Sequence, residues 1–361
     1  MRVAILGAGG FIGSHLVSHL LSQGRYVVVG LDTSNEKLAD VSTEDYEFYK
    51  ADVRQVPDLL DEIIREADVV VDLIAHANPS MYVANPIDVF ELNFMQNLHI
   101  AEVCMKYSKR LIQYSSAEVY GKASQGEVYS EETTDLVLGP VRKQRWIYAT
   151  AKILLERVLY GYGVSGDLEY TIVRPFNFIG PRLDYLVPPG SMGGPRVFPH
   201  WMSALLSGGP IYLVDGGHVH RAFMHIADAN AGFQTLLDHP EESRNQTFNM
   251  GNPANNLKIR ELASLMIDVY EELTGDKVRS PIVEVSGVEF YGEGYEDANR
   301  LPPNISKLRA LGWNPIRDVR TTFRDAIAYY LEHTKGSVAI ETPKSLASAT
   351  DQRLFADGGA I

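Results

Sequence analysis

The sequence predicts an α/β fold, a doubly wound parallel sheet carrying a smaller C-terminal lobe. Three observations predict it. Short β-branched runs alternate with helix-period stretches through the first half of the chain, the pattern of a sheet with helices on both faces. The first of these strands runs directly into a glycine-rich turn and a helix. After Pro175 the alternation stops and Gly and Pro accumulate, in GPRLD, VPPGSMGGPR, SGGP and DGG.

Taken in order, residues 3–6, 26–31, 69–74, 111–114 and 170–174 read as buried parallel strands, since each is a short, largely apolar run. Residues 12–23, 58–66, 89–107 and 146–162 place apolar side chains at helical spacing between them. Beyond Pro175, residues 197–206, 259–274 and 321–331 read as helices joined by loops and short elements. Residues 1–175 therefore form the sheet domain, with 218–250 returning to it. Residues 176–335 make an interleaved lobe of the kind that covers a ligand. From 336 to 361 the chain is small and polar without periodicity, which predicts a weakly ordered tail.

Composition narrows the function. A chain of 361 residues with 45% hydrophobic and 22% charged content is ordinary globular protein, long enough to need no covalent staple. Its net charge of -13 excludes a broad phosphate-binding surface, hence nucleic-acid and anionic-membrane binding, but leaves room for local basic sites. The single Cys104 excludes an intramolecular disulfide and a thiolate-rich metal site, and no histidine spacing suggests a metal. Glycines interrupt the N-terminal apolar run, so it does not read as a signal peptide, and a cytoplasmic protein is expected.

The glycine run is Gly7-Ala-Gly-Gly10-Phe11-Ile12-Gly13. Gly7 makes the tight turn, Gly10 lets the backbone approach a pyrophosphate, and Gly13 lets the helix pack close to the strand. The first helical turn, with Phe11 and Ile12, offers free N–H groups and the positive end of the dipole to phosphate. This is the Rossmann arrangement for a dinucleotide. Asp32 closes the second strand, 19 residues after Gly13, where a carboxylate accepts both ribose hydroxyls and repels a 2′-phosphate. The cofactor is therefore expected to be NAD, with Asp52 reaching towards the adenine.

Tyr148 and Lys152 stand four positions apart in a predicted helix, on one face and one turn from each other. Ser115 and Ser116 follow the strand 111–114, at the sheet edge where α/β ligands bind. A tyrosine there can exchange a proton with a substrate hydroxyl if its acidity is raised. A lysine ammonium roughly 5 Å away, at an effective dielectric near 20, would raise it about a hundredfold. Ser116 would hydrogen-bond the reacting oxygen.

These stretches, with Ala117-Glu-Val-Tyr-Gly121, Lys143-Gln-Arg-Trp-Ile-Tyr148, Arg174-Pro-Phe-Asn-Phe-Ile-Gly-Pro-Arg-Leu-Asp184, Asn249-Met-Gly-Asn252 and Phe290-Tyr-Gly-Glu-Gly-Tyr-Glu-Asp297, resemble the extended short-chain dehydrogenase/reductase family. The resemblance spans nearly residues 1–333 and is nearest to UDP-glucuronate decarboxylases and UDP-apiose/UDP-xylose synthase. It implies an NAD-dependent enzyme that oxidises C4 of a nucleotide sugar to a ketone, which holds the electrons released as the C6 carboxylate leaves as CO2, protonates the enol at C5 and reduces the ketone again. It also implies roles. Ser116, Tyr148 and Lys152 match the oxidation triad, and Glu118 a catalytic carboxylate. Asn177, Arg196 and Tyr295 match nucleotide-diphosphate contacts, Tyr82 and Arg145 sugar or carboxylate contacts, and Arg221 a basic position of the nucleotide pocket. Helices 89–107 and 146–162 match the family's dimer helices, which implies a homodimer.

Two positions depart from the pattern. Ala117 stands where a serine or cysteine serves proton transfer, and the catalytic arginine's position holds Leu301, with Arg300 one residue early. From a loop the Arg300 guanidinium could still enter the site; on a strand it would face away. Decarboxylation of a UDP-glucuronate-type substrate is the leading expectation. A 4-epimerase, which needs only the triad and room for the keto sugar to turn, is the alternative. A catalytically dead NAD-binding scaffold is the third, and the intact triad argues against it.

Overall fold

A computed structural model describes residues 1–123, 126–188, 190–192 and 196–334, so the tail expected over 336–361 lies outside the described residues. The strands are β1 (Arg2–Leu6), β2 (Val27–Asp32), β3 (Tyr46–Lys50), β4 (Val69–Asp72), β5 (Arg110–Tyr114), β6 (Tyr170–Pro175), β7 (Asn177–Ile179), β8 (Ile211–Val214), β9 (His220–His225), β10 (Gln246–Met250), β11 (Asn256–Lys258) and β12 (Ile282–Val285). Seven of them form the main sheet in the order β10-β6-β5-β4-β1-β2-β3, every pair parallel. The order reverses between β1 and β4, which opens a crevice at their carboxyl ends.

The inner strands are apolar on both faces because both faces are covered. One cluster joins Val3 and Ile5 to α1 (Phe11–Ser22) and α8 (Ile226–Asp238), through Leu16, Leu20, Phe233 and Leu236. The other joins Ala4 and Leu6 to α2 (Pro57–Glu66), α5 (Asn97–Lys106) and α6 (Ile147–Ser165), through Leu60, Ile100 and Leu155. The two edge strands, β3 and β10, escaped the sequence reading. Their runs, YEFYK and QTFNM, mix polar and apolar residues because an edge strand is covered on fewer sides.

The helix expected over 89–107 has more structure than its periodicity shows. It runs from Pro86–Phe90 through a π-helical turn, Glu91–Gln96, into α5. The wider turn rotates Asn93 and Asn97, both fully buried, towards the sheet. Asn93 bonds both the N–H and the C=O of His76, at 2.7 and 3.1 Å, and Asn97 Nδ2 donates to Ile74 O at 3.2 Å. Thus an irregularity in one helix fixes the loop after β4, which borders the crevice.

Beyond the main sheet, β11-β9-β7 form a three-stranded sheet and β12-β8 pair in parallel. Within 218–250, β9 belongs to the small sheet, α8 packs on α1, and β10 joins the main sheet. A short helix, α7 (Val197–Ser207), lies between β7 and β8. Among the described residues no helix is long and apolar enough to cross a membrane.

Candidate active site

The glycine turn is built as its sequence requires. Gly7 has φ +90°, the left-handed region that other residues rarely adopt. A Cβ on Gly13 would stand 2.1 Å from Gly7 O, so only glycine lets α1 start this close to β1. Gly10, by contrast, would place a Cβ near nothing but Gly7 O at 3.3 Å, which leaves its other side open. The sequence reading gave Gly9 no task, yet it is the most enclosed of the run: a Cβ would sit 1.7 Å from Ser34 O.

Asp32 turns its carboxylate into this loop. Gly9 N–H donates to Oδ2 at 3.0 Å and Ser34 N–H to Oδ1 at 3.2 Å. Of the residues expected at a dinucleotide, Gly7, Gly10, Asp32 and Asp52 line one cavity and Ile12 and Lys152 the neighbouring one, whereas Phe11 and Gly13 line neither. Asp52 also caps its own turn and forms an ion pair with Arg54 at 2.8 Å. An open glycine edge, free N–H groups at the start of α1 and a carboxylate opposite them fit an adenine dinucleotide.

Next to it lies a larger cavity of about 320 Å3, whose walls include Ser116, Glu118, Tyr148, Lys152, Asn177, Arg196, Arg221, Tyr295 and Arg300. Ser116 and Glu118 come from the turn after β5, Tyr148 and Lys152 from the first two turns of α6, Asn177 and Arg221 from β7 and β9, and Arg196, Tyr295 and Arg300 from loops. Ser116 follows β5 and caps the turn Ala117–Tyr120 by accepting Glu118 N–H at 3.1 Å. The Tyr148 hydroxyl lies near enough to Ser116 for that side chain to favour its ionised form, and its ring stacks on Tyr82 at 4.8 Å and 13°. Tyr82, in the helix Pro79–Ala84, is itself buried, which holds the Tyr148 ring in place.

Burial pushes the Tyr148 hydroxyl up to about 12; Ser116 and Arg196 draw it down, and Glu118 adds to the rise. The expected lowering by Lys152 is not what the structure shows. The ammonium is turned away into a polar cage, donating to Asn97 Oδ1 and to Tyr114 O, each at 3.1 Å. Burial brings Lys152 down to about 8, and Asp72 works against that fall. Asp72 closes β4, fully buried, with one oxygen bonded by Ile74 N–H at 2.9 Å and the other without a partner; burial raises it to about 6. Sequence reasoning missed both Asp72 and Asn97. The signal was an acid ending an all-valine strand, and an asparagine on an apolar helix face.

Opposite Tyr148 the cavity is guanidinium-rich. Glu118 Oε2 accepts from Arg145 Nη2 at 2.6 Å and from Arg300 Nη2 at 2.7 Å. Burial would raise this carboxyl, but Arg300, Arg145 and Arg221 together hold it down at about 2. Arg145 and Arg300 are each 5% exposed. Arg145 also lies over the Trp146 ring at 4.4 Å, which keeps its planar group flat against the wall. Arg300 enters from a loop, not a strand, so its one-residue offset does not turn it away. Leu301 packs instead into the apolar cluster that contains Ala117.

The remaining expected residues line the same cavity. Asn177 Nδ2 donates to Ala222 O at 3.0 Å, bridging β7 and β9. Arg221, on β9, pairs with Asp297 at 2.5 Å and donates to Ala298 O at 3.0 Å, so it is no free surface arginine. Tyr295 stacks on Tyr291 at 4.3 Å. Arg196 precedes α7 at the cavity mouth, 40% exposed, and pairs with Asp184 at 3.0 Å.

A Rossmann sheet whose crevice joins a dinucleotide loop to a Ser–Tyr–Lys set defines an enzyme class that moves protons and electrons on hydroxyls. The chain belongs to the NAD dependent epimerase/dehydratase family, whose model matches residues 3–251. It is 36% identical to UDP-D-apiose/UDP-D-xylose synthase 2 of Arabidopsis thaliana, with 96% of each chain covered. It resembles the crystal structure of the PbgP3 protein from Burkholderia pseudomallei with a TM-score of 0.83 and 34% identity, over 94% of this chain and 99% of that one. The UDP-glucose 4-epimerase of Thermotoga maritima shares the fold, with a TM-score of 0.77 and 21% identity over 93% and 100% of the two chains.

Proposed function

We propose that the protein removes the C6 carboxylate of a UDP-linked hexuronate through a transient 4-keto sugar, using NAD, and leaves a UDP-linked pentose. One observation carries the reading. In a chain of net charge -13, five cationic side chains (Arg145, Lys152, Arg196, Arg221 and Arg300) line the main cavity against two carboxylates, Glu118 and Asp297. That excess fits a ligand bearing a diphosphate and a further carboxylate. The name of the Arabidopsis relative supports a UDP sugar.

In this reading Gly7, Gly10 and the first turn of α1, with Phe11, Ile12 and Gly13, face the pyrophosphate, and Asp32 binds the ribose. NAD held by these residues would supply the hydride acceptor and donor for oxidation and re-reduction at C4. Tyr148 takes the O4 proton and Ser116 orients that oxygen. Asp72, Asn97 and the Tyr114 carbonyl favour the charged form of Lys152, which sets a positive charge in the cavity wall. Asn177, Arg196, Arg221 and Tyr295 hold the nucleotide diphosphate. Arg145 and Arg300 then align the sugar carboxylate beside Glu118, so that the C5–C6 bond lies across the ketone plane and its electron pair has an acceptor.

One observation favours a second reading, 4-epimerisation. Ala117 and Leu301 share a cluster with Phe176 and Ala222, an apolar wall on which a keto sugar can turn. Incubation with NAD and UDP-glucuronate, read by mass spectrometry, separates the two. Decarboxylation gives a product lighter by one CO2, whereas an isomer of unchanged mass overturns it in favour of epimerisation. Tyr148→Phe is expected to abolish either product while NAD still binds.

A further inference from the structure

Among the hydroxyls that line the main cavity and that no step above uses, those of Ser115 and Tyr129 are buried without a hydrogen-bond partner, and only the Tyr129 phenol stands beside Arg300 and Arg221. The Leu301 amide lies beside the Tyr129 Oη but falls short of hydrogen-bond geometry. A buried polar atom left in that state is unfavourable, so its placement asks for a ligand atom. The side chain cannot swing away to find another partner. Its ring stacks on Tyr120 at 4.4 Å and 2°, and the Tyr120 hydroxyl is itself fixed by Asn249 at 2.7 Å and Arg174 at 2.9 Å. The Tyr129 main chain is fixed as well, donating to Pro302 O at 2.9 Å and accepting Asn304 N–H at 2.8 Å. Pro302 follows Arg300 by two residues, so one segment of backbone anchors both groups.

Decarboxylation leaves an enolate that must gain a proton at C5. Among the cavity's side chains few can give one. Tyr148 is committed to O4, and Glu118, held ionised by two guanidiniums, carries no proton at neutral pH. Ala117 and Leu301, which pack against Tyr129, have none to give. Tyr295 and Tyr291 stack on each other, on the side of Asp297.

We propose that Tyr129 is the proton donor to C5, a role that rests on the decarboxylation reading. The C5–C6 bond breaks, CO2 departs, and its bonding pair enters the C4–C5 enolate. The Tyr129 O–H bond then breaks and a C5–H bond forms from the enolate pair. The O–H pair stays on the phenolate, which water reprotonates. One proton replaces one CO2. The surroundings suit a donor: burial keeps the phenol protonated at rest, while Arg300 and Arg221 stabilise the phenolate.

The test is Tyr129→Phe, which keeps the ring, its stacking and its packing, assayed with NAD and UDP-glucuronate in D2O. Three readouts are taken: CO2 release, the yield of UDP-pentose, and the configuration of deuterium at C5 by NMR. Wild type is expected to give pentose with deuterium in a single configuration. The variant is expected to release CO2 within about threefold of the wild-type rate and to form about 10²-fold less pentose. The missing material should leave as the unreduced 4-keto pentose, with deuterium in both configurations. Adding Ala117→Ser to the variant, which restores a hydroxyl beside the same cluster, should recover pentose. Wild-type pentose yield and configuration in Tyr129→Phe overturn the proposal. So does parallel loss of CO2 and pentose without rescue, which marks a structural role. If wild type itself releases no CO2, the decarboxylation reading fails, and the donor role fails with it.

Discussion

Glu118→Gln isolates the charge at the centre of the guanidinium cluster, because the amide keeps the size and most of the shape of the carboxylate. The same oxygen accepts from Arg145 and Arg300 at 2.6 and 2.7 Å, and the side chain is 29% exposed. Its carboxyl falls from an ordinary 4.5 to about 2, which at about 1.4 kcal/mol per tenfold is worth about 3 kcal/mol. Removing one partner of a buried pair costs roughly 3–5 kcal/mol, and partial exposure puts this site at the lower end. The sign follows from linkage. A folded-state carboxyl below its unfolded value stabilises the fold fully above about 4.5, and that contribution is lost as pH falls towards about 2. Urea unfolding of wild type and variant should therefore differ by about 3 kcal/mol near pH 7, and by less than about 2 kcal/mol near pH 3. A gap under about 1 kcal/mol near pH 7, or one that does not narrow with acid, would refute the reasoning.

Asp72→Asn removes the charge that holds up Lys152, so the alkaline limb of the activity profile, set by an ammonium near 8, should move to lower pH; an unmoved limb in a stable variant shows that Asp72 does not act through Lys152. Gly13→Ala places a Cβ 2.1 Å from Gly7 O and should weaken NAD binding at least tenfold by calorimetry, with Gly10→Ala milder because its Cβ meets only Gly7 O at 3.3 Å. Asp32→Ala should narrow the preference for NAD over NADP in direct binding, since the carboxylate that repels a 2′-phosphate is gone.

Much of this protein was legible in one chain. The glycine turn, Asp32 and the Tyr148/Lys152 spacing each obey a local rule, because a turn or a single helical turn fixes their geometry. The strands that are covered on both faces were legible for the same reason, as unbroken apolar runs. Edge strands β3 and β10 were not, because their mixed composition reflects the side that faces no neighbour.

The sequence by itself determined the inner strands, the glycine turn and the Tyr148/Lys152 spacing, because these follow from local runs and single turns of chain. Only the tertiary structure decided what those residues face. It turned Lys152 towards Asn97 and Tyr114, where a π-helical turn had rotated Asn97 inward. It also brought Arg300 across 182 residues to Glu118, and Tyr129 to the same wall. Charge and burial act through space, and a chain position carries no distance until the fold supplies it.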